Sequence, residues 1–171
     1  MTTPTIAQRA LSARPFHAMS IGARARELEA EGIGVAKLSL GEPSFGAPPG
    51  VHEAMREAMD GRPLPYTPAA GLPALREAVA GLYRERHGVD LDPRRILITA
   101  GASAGLLLAT ALTTDPGDEV VMADPCYPCN RELVDAFGGR VALAPTTPAT
   151  RYQLDRAVME AAWSGRTAAV Q

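Results

Sequence analysis

The chain has 171 residues, of which 46% are hydrophobic and 21% charged, with a net charge of -2, the composition of one soluble globular domain with a real core and not of a disordered segment. The near-zero charge provides no basic stripe for nucleic acid, and the longest apolar stretch, Ala104 to Leu112, is about half the roughly 20 residues that a membrane span requires. No apolar signal region opens the chain and only two cysteines occur, so the sequence reads as cytoplasmic.

Residues 1 to 16, small and polar with Pro4 and Pro15, read as an irregular arm that docks on something else. Over Ser20 to Glu31, Ile21 and Leu28 stand seven apart with charges between them, the pattern of an amphipathic helix, which Gly32 and Gly34 stop. A short strand is expected over Val35 to Leu40. A turn at Gly41-Glu42-Pro43-Ser44 and a loop through Pro48, Pro49 and Gly50 then lead to a helix over Val51 to Met59. Gly61 to Gly71 is a second proline-rich loop, with Tyr66 held between Pro65 and Pro68. Pro73 opens a helix that places Leu75, Val79, Leu82 and Tyr83 on one face and ends near His87-Gly88.

The stretch from Arg95 to Asn130 carries the chemistry. Ile96 to Thr99 is a β-rich run of the kind buried in parallel sheets, and Gly101, Ala102 and Ser103 after it are too small to shield their backbone. A helix from Ser103 to Leu112 presents unpaired N–H groups and the positive end of its dipole there, which suits phosphate. The turn Asp115 to Asp118 precedes a strand over Glu119 to Ala123, a helix over Pro128 to Phe137, Gly138-Gly139 and a strand over Arg140 to Ala144. A last helix, Leu154 to Trp163 with Trp163 packed, feeds a strand from Thr167. This repeated β-α-β order defines an α/β protein.

Four motifs now stand in one order: LGEPSF at Leu40 to Phe45, YTPAAGLPALREAVAGLY at Tyr66 to Tyr83, ITAGASAGL at Ile98 to Leu106 and GDEVVMADPCYP at Gly117 to Pro128. With their spacings, the chain resembles the N-terminal half of a class I/II aminotransferase of the fold-type-I pyridoxal-phosphate group. The resemblance implies the N-terminal part of a mostly parallel, three-layer α/β/α large domain. Residues 1–45 would be an N-terminal arm and part of a small domain, and residues 46–171 the incomplete cofactor-binding large domain. It implies pyridoxal 5'-phosphate as cofactor, an amino acid and a 2-oxo acid as substrates, and a homodimer, with no nucleic acid or membrane partner. Carried over residue by residue, Gly101, Ala102 and Ser103 match the loop that holds the cofactor phosphate, and Tyr127 matches the aromatic stacked on the pyridine ring. Tyr66 matches a tyrosine that reaches a partner subunit's cofactor phosphate, and Gly41 a glycine whose backbone approaches the substrate. Without the resemblance, Tyr127 reads as a surface or core tyrosine, Tyr66 as a loop anchor and Gly41 as a tight turn.

The family also needs a lysine that forms a Schiff base with the cofactor and then moves the proton. Lys37 is the one lysine here and has no such role in the family. The sequence thus resembles an aminotransferase truncated before that lysine and inactive by itself, with no catalytic residue of its own. Three other readings compete. ITAGASAG followed by Asp124 about 20 residues on resembles an NAD(P)-binding dehydrogenase-type βαβ unit, although Leu107 or Leu108 stands where the third glycine belongs. Cys126 to Cys129 forms a C-x-x-C, but beyond residue 120, where a thioredoxin-like fold would not carry it. The third is a non-catalytic fragment that binds a phosphorylated ligand. His17, His52 and His87 lack ligand spacing, so no metal site is expected. The family's sheet order puts the Glu119 strand between the Arg140 and Thr167 strands, leaving the Ile96 strand unpaired or with an unfamiliar neighbour. A dinucleotide unit would instead set the Ile96 and Glu119 strands side by side.

Overall fold

Val120, Val121 and Met122 are 2%, 0% and 1% exposed. Because consecutive strand residues point to opposite faces, a run this dry means that both faces of their strand are covered. The strand is β1, Glu119–Asp124, in a computed structural model that describes residues 5–171. Pro4 and the first residues of the expected arm lie outside the described residues. β2, Arg140–Pro145, and β3, Thr167–Val170, flank β1 in a parallel sheet of order β2-β1-β3. The β1–β2 ladder runs unbroken from Glu119 opposite Arg140 to Asp124 opposite Pro145. On the other side Glu119 faces Thr167 and Val120 faces Ala169, so Ala168 is the extra residue of a bulge.

Seven α-helices and two single-turn 3-10 helices complete the described chain, the α-helices being α1 Gln8–Ser12, α2 His17–Ala30, α3 Pro49–Ala58, α4 Pro73–His87, α5 Gly101–Thr113, α6 Pro128–Ala136 and α7 Arg156–Ala162. Proline opens α3, α4 and α6, where the missing N–H costs nothing and the fixed φ already suits a helix. α4 stops at Gly88, whose φ of 65° closes it in the left-handed region. Asp155 caps α7 by accepting the Val158 N–H at 2.8 Å. The connection β1-α6-β2 runs to one side of β1 and β2-α7-β3 to the other, so right-handed crossovers put α6 and α7 on opposite faces. The result is an α/β/α layering around a parallel sheet. Val134 of α6, fully buried, closes the core with Val120 and Met122, and Cys126, Val141 and Ala169 pack around them. Gly139 is fixed by this packing, because a Cβ there would lie 2.6 Å from Thr114 Cγ2 and 2.9 Å from Val134 Cγ1.

Several expectations change. Val35 to Leu40 is not a strand, since a strand needs a ladder partner and none runs beside it; Leu38 is 93% exposed. Ile96 to Thr99 is extended but joins no sheet, its Ile98 N–H donating to the Ala70 carbonyl at 3.1 Å. That is the unpaired outcome expected from the aminotransferase order, and it removes the side-by-side strands of the dinucleotide unit. The arm is not wholly irregular: α1, built from the good helix formers Gln8, Arg9, Ala10 and Leu11, occupies part of it. It docks on α6 of its own chain, where Arg14 Nε meets Glu132 Oε1 at 2.8 Å and the Arg14 N–H donates to Glu132 Oε2 at 3.1 Å. Trp163 is 55% exposed and not packed, and of α4 only Ala80 is buried, with Leu75, Leu82 and Tyr83 each at least 41% exposed. No described element covers that apolar face.

Glu119 ties the start of β1 to the loop before β3. Its carboxylate accepts from Ser164 Oγ at 2.5 Å and from Arg166 Nε at 3.0 Å, and these bonds, the Ser164 one foremost, hold its pKa below the ordinary glutamate value. A depressed folded-state pKa gives stability that is complete above the ordinary value and is lost as pH falls through the lowered one. Glu119→Gln should therefore lower the urea midpoint at neutral pH, and the gap to wild type should close as the pH is taken down through the acid range. A gap unchanged with pH would show that the charge plays no part.

Candidate functional site

α5 runs through the Asp115–Asp118 turn into the start of β1, so its own N-terminus lies at the opposite, C-terminal edge of the sheet. α6 follows directly on β1 and therefore starts at that same edge, the place where open α/β sheets bind ligands. The two helices pack against each other. This topology brings Gly101, Ala102, Ser103 and Tyr127 to one edge.

At the start of α5, Gly101 has a φ of 80°, a conformation that favours glycine, and a Cβ there would meet nothing within 4 Å. Its N–H is taken by the Thr99 carbonyl at 2.9 Å, and the Thr99 hydroxyl donates back to the Gly101 carbonyl at 2.9 Å. These two bonds set the turn. No side chain caps the helix, and the exposed Ala102 and Ser103 N–H groups have no hydrogen-bond partner among the described residues. Open space, free N–H donors and a positive dipole end are the features that suit an anion. The helix begins two residues earlier than the sequence pattern indicates, which places all three small residues in its first turn.

Tyr127 is the N-cap residue of α6 and is 52% exposed. Its ring meets Phe16 of the arm edge-on, with centroids 5.6 Å apart and planes at 66°. Cys129 beside the phenol hydroxyl, with a smaller effect of burial, raises the pKa of Tyr127 above its ordinary value. The turn before it contains a cis Asp124–Pro125 peptide and is held from both ends. Arg131 donates to Cys126 Sγ at 3.2 Å through Nε and to Asp124 Oδ1 at 2.8 Å through Nη2. Thr146, just past β2, donates to the Asp124 carbonyl from its N–H at 2.9 Å and from its hydroxyl at 3.0 Å. A charge-assisted fork and a pair of backbone anchors thus fix where the Tyr127 ring stands. The sequence reading passed over Arg131 and Phe16; only the arginine one turn into α6 could have signalled the fork.

Tyr66 is fully exposed, but the end of its loop is rooted on the segment that leads into α5. Gly71 has a φ of 94°, and a Cβ on it would collide with the Ile98 side chain; the Ala70 carbonyl takes the Ile98 N–H. Gly41 is exposed and a Cβ there would meet no atom within 4 Å, so nothing in this chain demands glycine at that position. Among the described residues there is no group of three or more His, Cys, Asp or Glu side chains that could hold a metal ion. No described helix is long and apolar enough to cross a membrane.

A parallel sheet between helices, with an uncapped helix start and a half-exposed aromatic ring at its C-terminal edge, defines an α/β protein of the open-sheet class. The profile of the family Aminotransferase class I and II matches residues 33–171, and the chain belongs to that family. It is 41% identical over 139 residues to the valine–pyruvate aminotransferase of Mycobacterium tuberculosis, covering 81% of this chain and 36% of the relative. It is 32% identical to the aspartate/prephenate aminotransferase of Thermus thermophilus, covering 96% of this chain and 43% of the relative. The structure of the Thermus thermophilus aspartate aminotransferase with maleate superposes with a TM-score of 0.92 at 32% identity, over 98% of this chain and 44% of that one. An aminotransferase structure from Mycobacterium tuberculosis gives 0.90 at 38% identity, over 98% and 43%. The chain thus spans less than half the length of these relatives.

The two positive-φ glycines of this edge differ in a way that substitution can read. Gly71→Ala adds a clash with Ile98 to the backbone strain and should cost about 2 kcal/mol or more, whereas Gly101→Ala meets open space and should cost about 1 kcal/mol. Urea unfolding followed by circular dichroism separates the two. Equal losses would mean that the Gly71–Ile98 packing is not formed in solution.

Proposed function

We propose that this chain forms the phosphate- and ring-binding part of a pyridoxal-phosphate-dependent aminotransferase, an enzyme that moves an amino group between an amino acid and a 2-oxo acid. The observation that carries the reading is the uncapped, open helix start at Gly101–Ser103 on the same sheet edge as the half-exposed Tyr127 ring. These groups fit the cofactor: free N–H donors suit a phosphate, and a flat ring suits a pyridine. The Ala102 and Ser103 N–H groups and the Ser103 hydroxyl would hold the phosphate, with Gly101 giving it room. Tyr127 would lie on the ring face, oriented by the Arg131 fork beneath it. When bound, pyridoxal phosphate supplies the electron sink that the chemistry at the substrate's Cα requires.

Two further roles belong to the same proposal. The exposed Tyr66, on a loop stiffened by Pro65 and Pro68, would reach the cofactor phosphate of a partner subunit in a homodimer, and the Gly41 backbone would face the substrate. Lys37, the one lysine in the chain, pairs with Glu29 of α2 at 2.8 Å, and its position matches no base of the family. These 171 residues by themselves should therefore bind the cofactor without turning over an amino acid. The family relationship and the composition favour a cytoplasmic setting.

Binding of pyridoxal phosphate, followed by equilibrium dialysis, tests the reading. Pyridoxal, which lacks the phosphate, should bind at least about tenfold more weakly, and Tyr127→Ala should weaken pyridoxal phosphate by about tenfold, the worth of one stacked ring. Ser103→Asp should abolish binding by placing a carboxylate in the cradle. Borohydride treatment should leave no stoichiometric pyridoxyl group on Lys37. Equal affinity for pyridoxal and its phosphate, or quantitative labelling of Lys37, would overturn the assignment.

A further inference from the structure

Cys126 and Cys129 lie on either side of Tyr127 and Pro128, and both are free and partly buried. Both line one groove of about 500 Å³ between the arm, at Arg14 to His17, and the start of α6. We propose that this groove is a thiol-modification site that takes up a low-molecular-weight disulfide, with Cys126 as the attacking sulfur and Cys129 as the resolving one. The proposal does not rest on the cofactor reading and stands or falls separately from it.

The two sulfurs are not equivalent. Cys126 Sγ accepts a hydrogen bond from the Arg131 guanidinium at 3.2 Å and sits just before the N-cap of α6, so a cation touches the sulfur directly. The other charged and titratable groups of the groove and turn are Arg14, His17, Glu132 and Asp124. Arg14 is engaged by Glu132 at 2.8 Å and Arg131 is shared with Asp124 at 2.8 Å, which leaves Arg131 as the cation in direct contact with sulfur. Cys129 lies instead beside the Tyr127 phenol, whose raised pKa reflects that neighbour. The guanidinium in contact with Cys126 Sγ is placed to hold developing negative charge there, hence the assignment of roles.

The chemistry balances without any further reactant. Cys126, its proton lost to solvent, attacks one sulfur of the disulfide RS–SR; the S–S bond breaks and RS⁻ leaves and is protonated. Cys129 then loses its proton and attacks Cys126 Sγ, forming the Cys126–Cys129 bond and expelling the second RS⁻. Two cysteine thiols are oxidised and one external disulfide is reduced to two thiols. Cys126 lies before α6 and Cys129 in its first turn, both are free thiols, and a disulfide requires Cβ atoms about 3.5–4.5 Å apart. Closing the pair must therefore tighten residues 126 to 129, draw Cys126 away from Arg131 and shift Tyr127.

Oxidised glutathione is the probe, with intact-mass measurement and peptide mapping as the readout. The wild-type chain should lose two hydrogens and retain no glutathione, while Cys129→Ser should trap one glutathione on Cys126. Cys126→Ser should react about tenfold more slowly at its remaining thiol, and Arg131→Gln should slow the Cys126 reaction by about tenfold. Arg131→Lys, which keeps the cation, should recover part of the rate and so separates activation from a folding defect. Near-ultraviolet dichroism should change on oxidation of the wild type and return with dithiothreitol. Equal rates for the two thiols, matching those of the urea-unfolded chain, would overturn the proposal, as would retention of glutathione on both sulfurs of the wild type.

Discussion

The backbone of β1 is hydrogen-bonded on both sides and its side chains are dry on both faces, and the rest of the molecule depends on that one strand. Each ladder alone joins two strands that would be marginal in water, and together they make a layer to which α6 can add Val134. The larger buried apolar side chains Val120, Val121, Met122 and Val134 gather here, while Leu38, Phe45, Leu64 and Tyr66 in the first half are largely exposed. Because β2 and β3 reach β1 from opposite sides, the helices between them are forced onto opposite faces. Both ends of β1 are then fixed by polar contacts, Glu119 at the start and the Asp124 carbonyl at the finish.

The candidate site is a product of where β1 ends. Two helices start at its C-terminal edge for unrelated reasons of connectivity, one running into the strand and the other out of it. One brings unpaired N–H groups and the other an aromatic ring. Arg131 ties the start of α6 to the strand by gripping Asp124, the last strand residue, and Cys126, the second residue beyond it. The same guanidinium thus touches both the last strand residue and the sulfur, so changing that side chain removes both contacts at once.

Elements whose pattern is local could be read directly. Pro73 marked the start of α4 and Pro128 that of α6, and the apolar runs at Val120 and Val141 stood between Gly-rich turns. Gly101 to Ser103 were legible for the same reason, since small residues after an apolar run expose backbone whatever surrounds them. Val35 to Leu40 misled because β-propensity describes a residue's fit to a sheet, and a strand exists only with a partner. The apolar face of α4 was visible in the sequence, but what covers it is a property of neighbours, and the described residues supply none. The fork from Arg131 to Asp124 and Cys126 was hidden because it spans a turn whose shape the composition does not encode. Phe16 on Tyr127 joins residues far apart in the chain, with no local signal at either end.

That last contact has a consequence for affinity. A tyrosine side chain free in solvent gives up rotational freedom when a planar ligand settles on it, at about 0.5–1.5 kcal/mol for each side chain immobilised. With the edge of Phe16 against it, and with Arg14 clamped to Glu132 to hold the arm in place, the Tyr127 ring has already surrendered part of that freedom in the unliganded chain. On the proposed cofactor reading, an N-terminal arm that touches no ligand strengthens binding in this way, by setting beforehand the angle at which the ring waits.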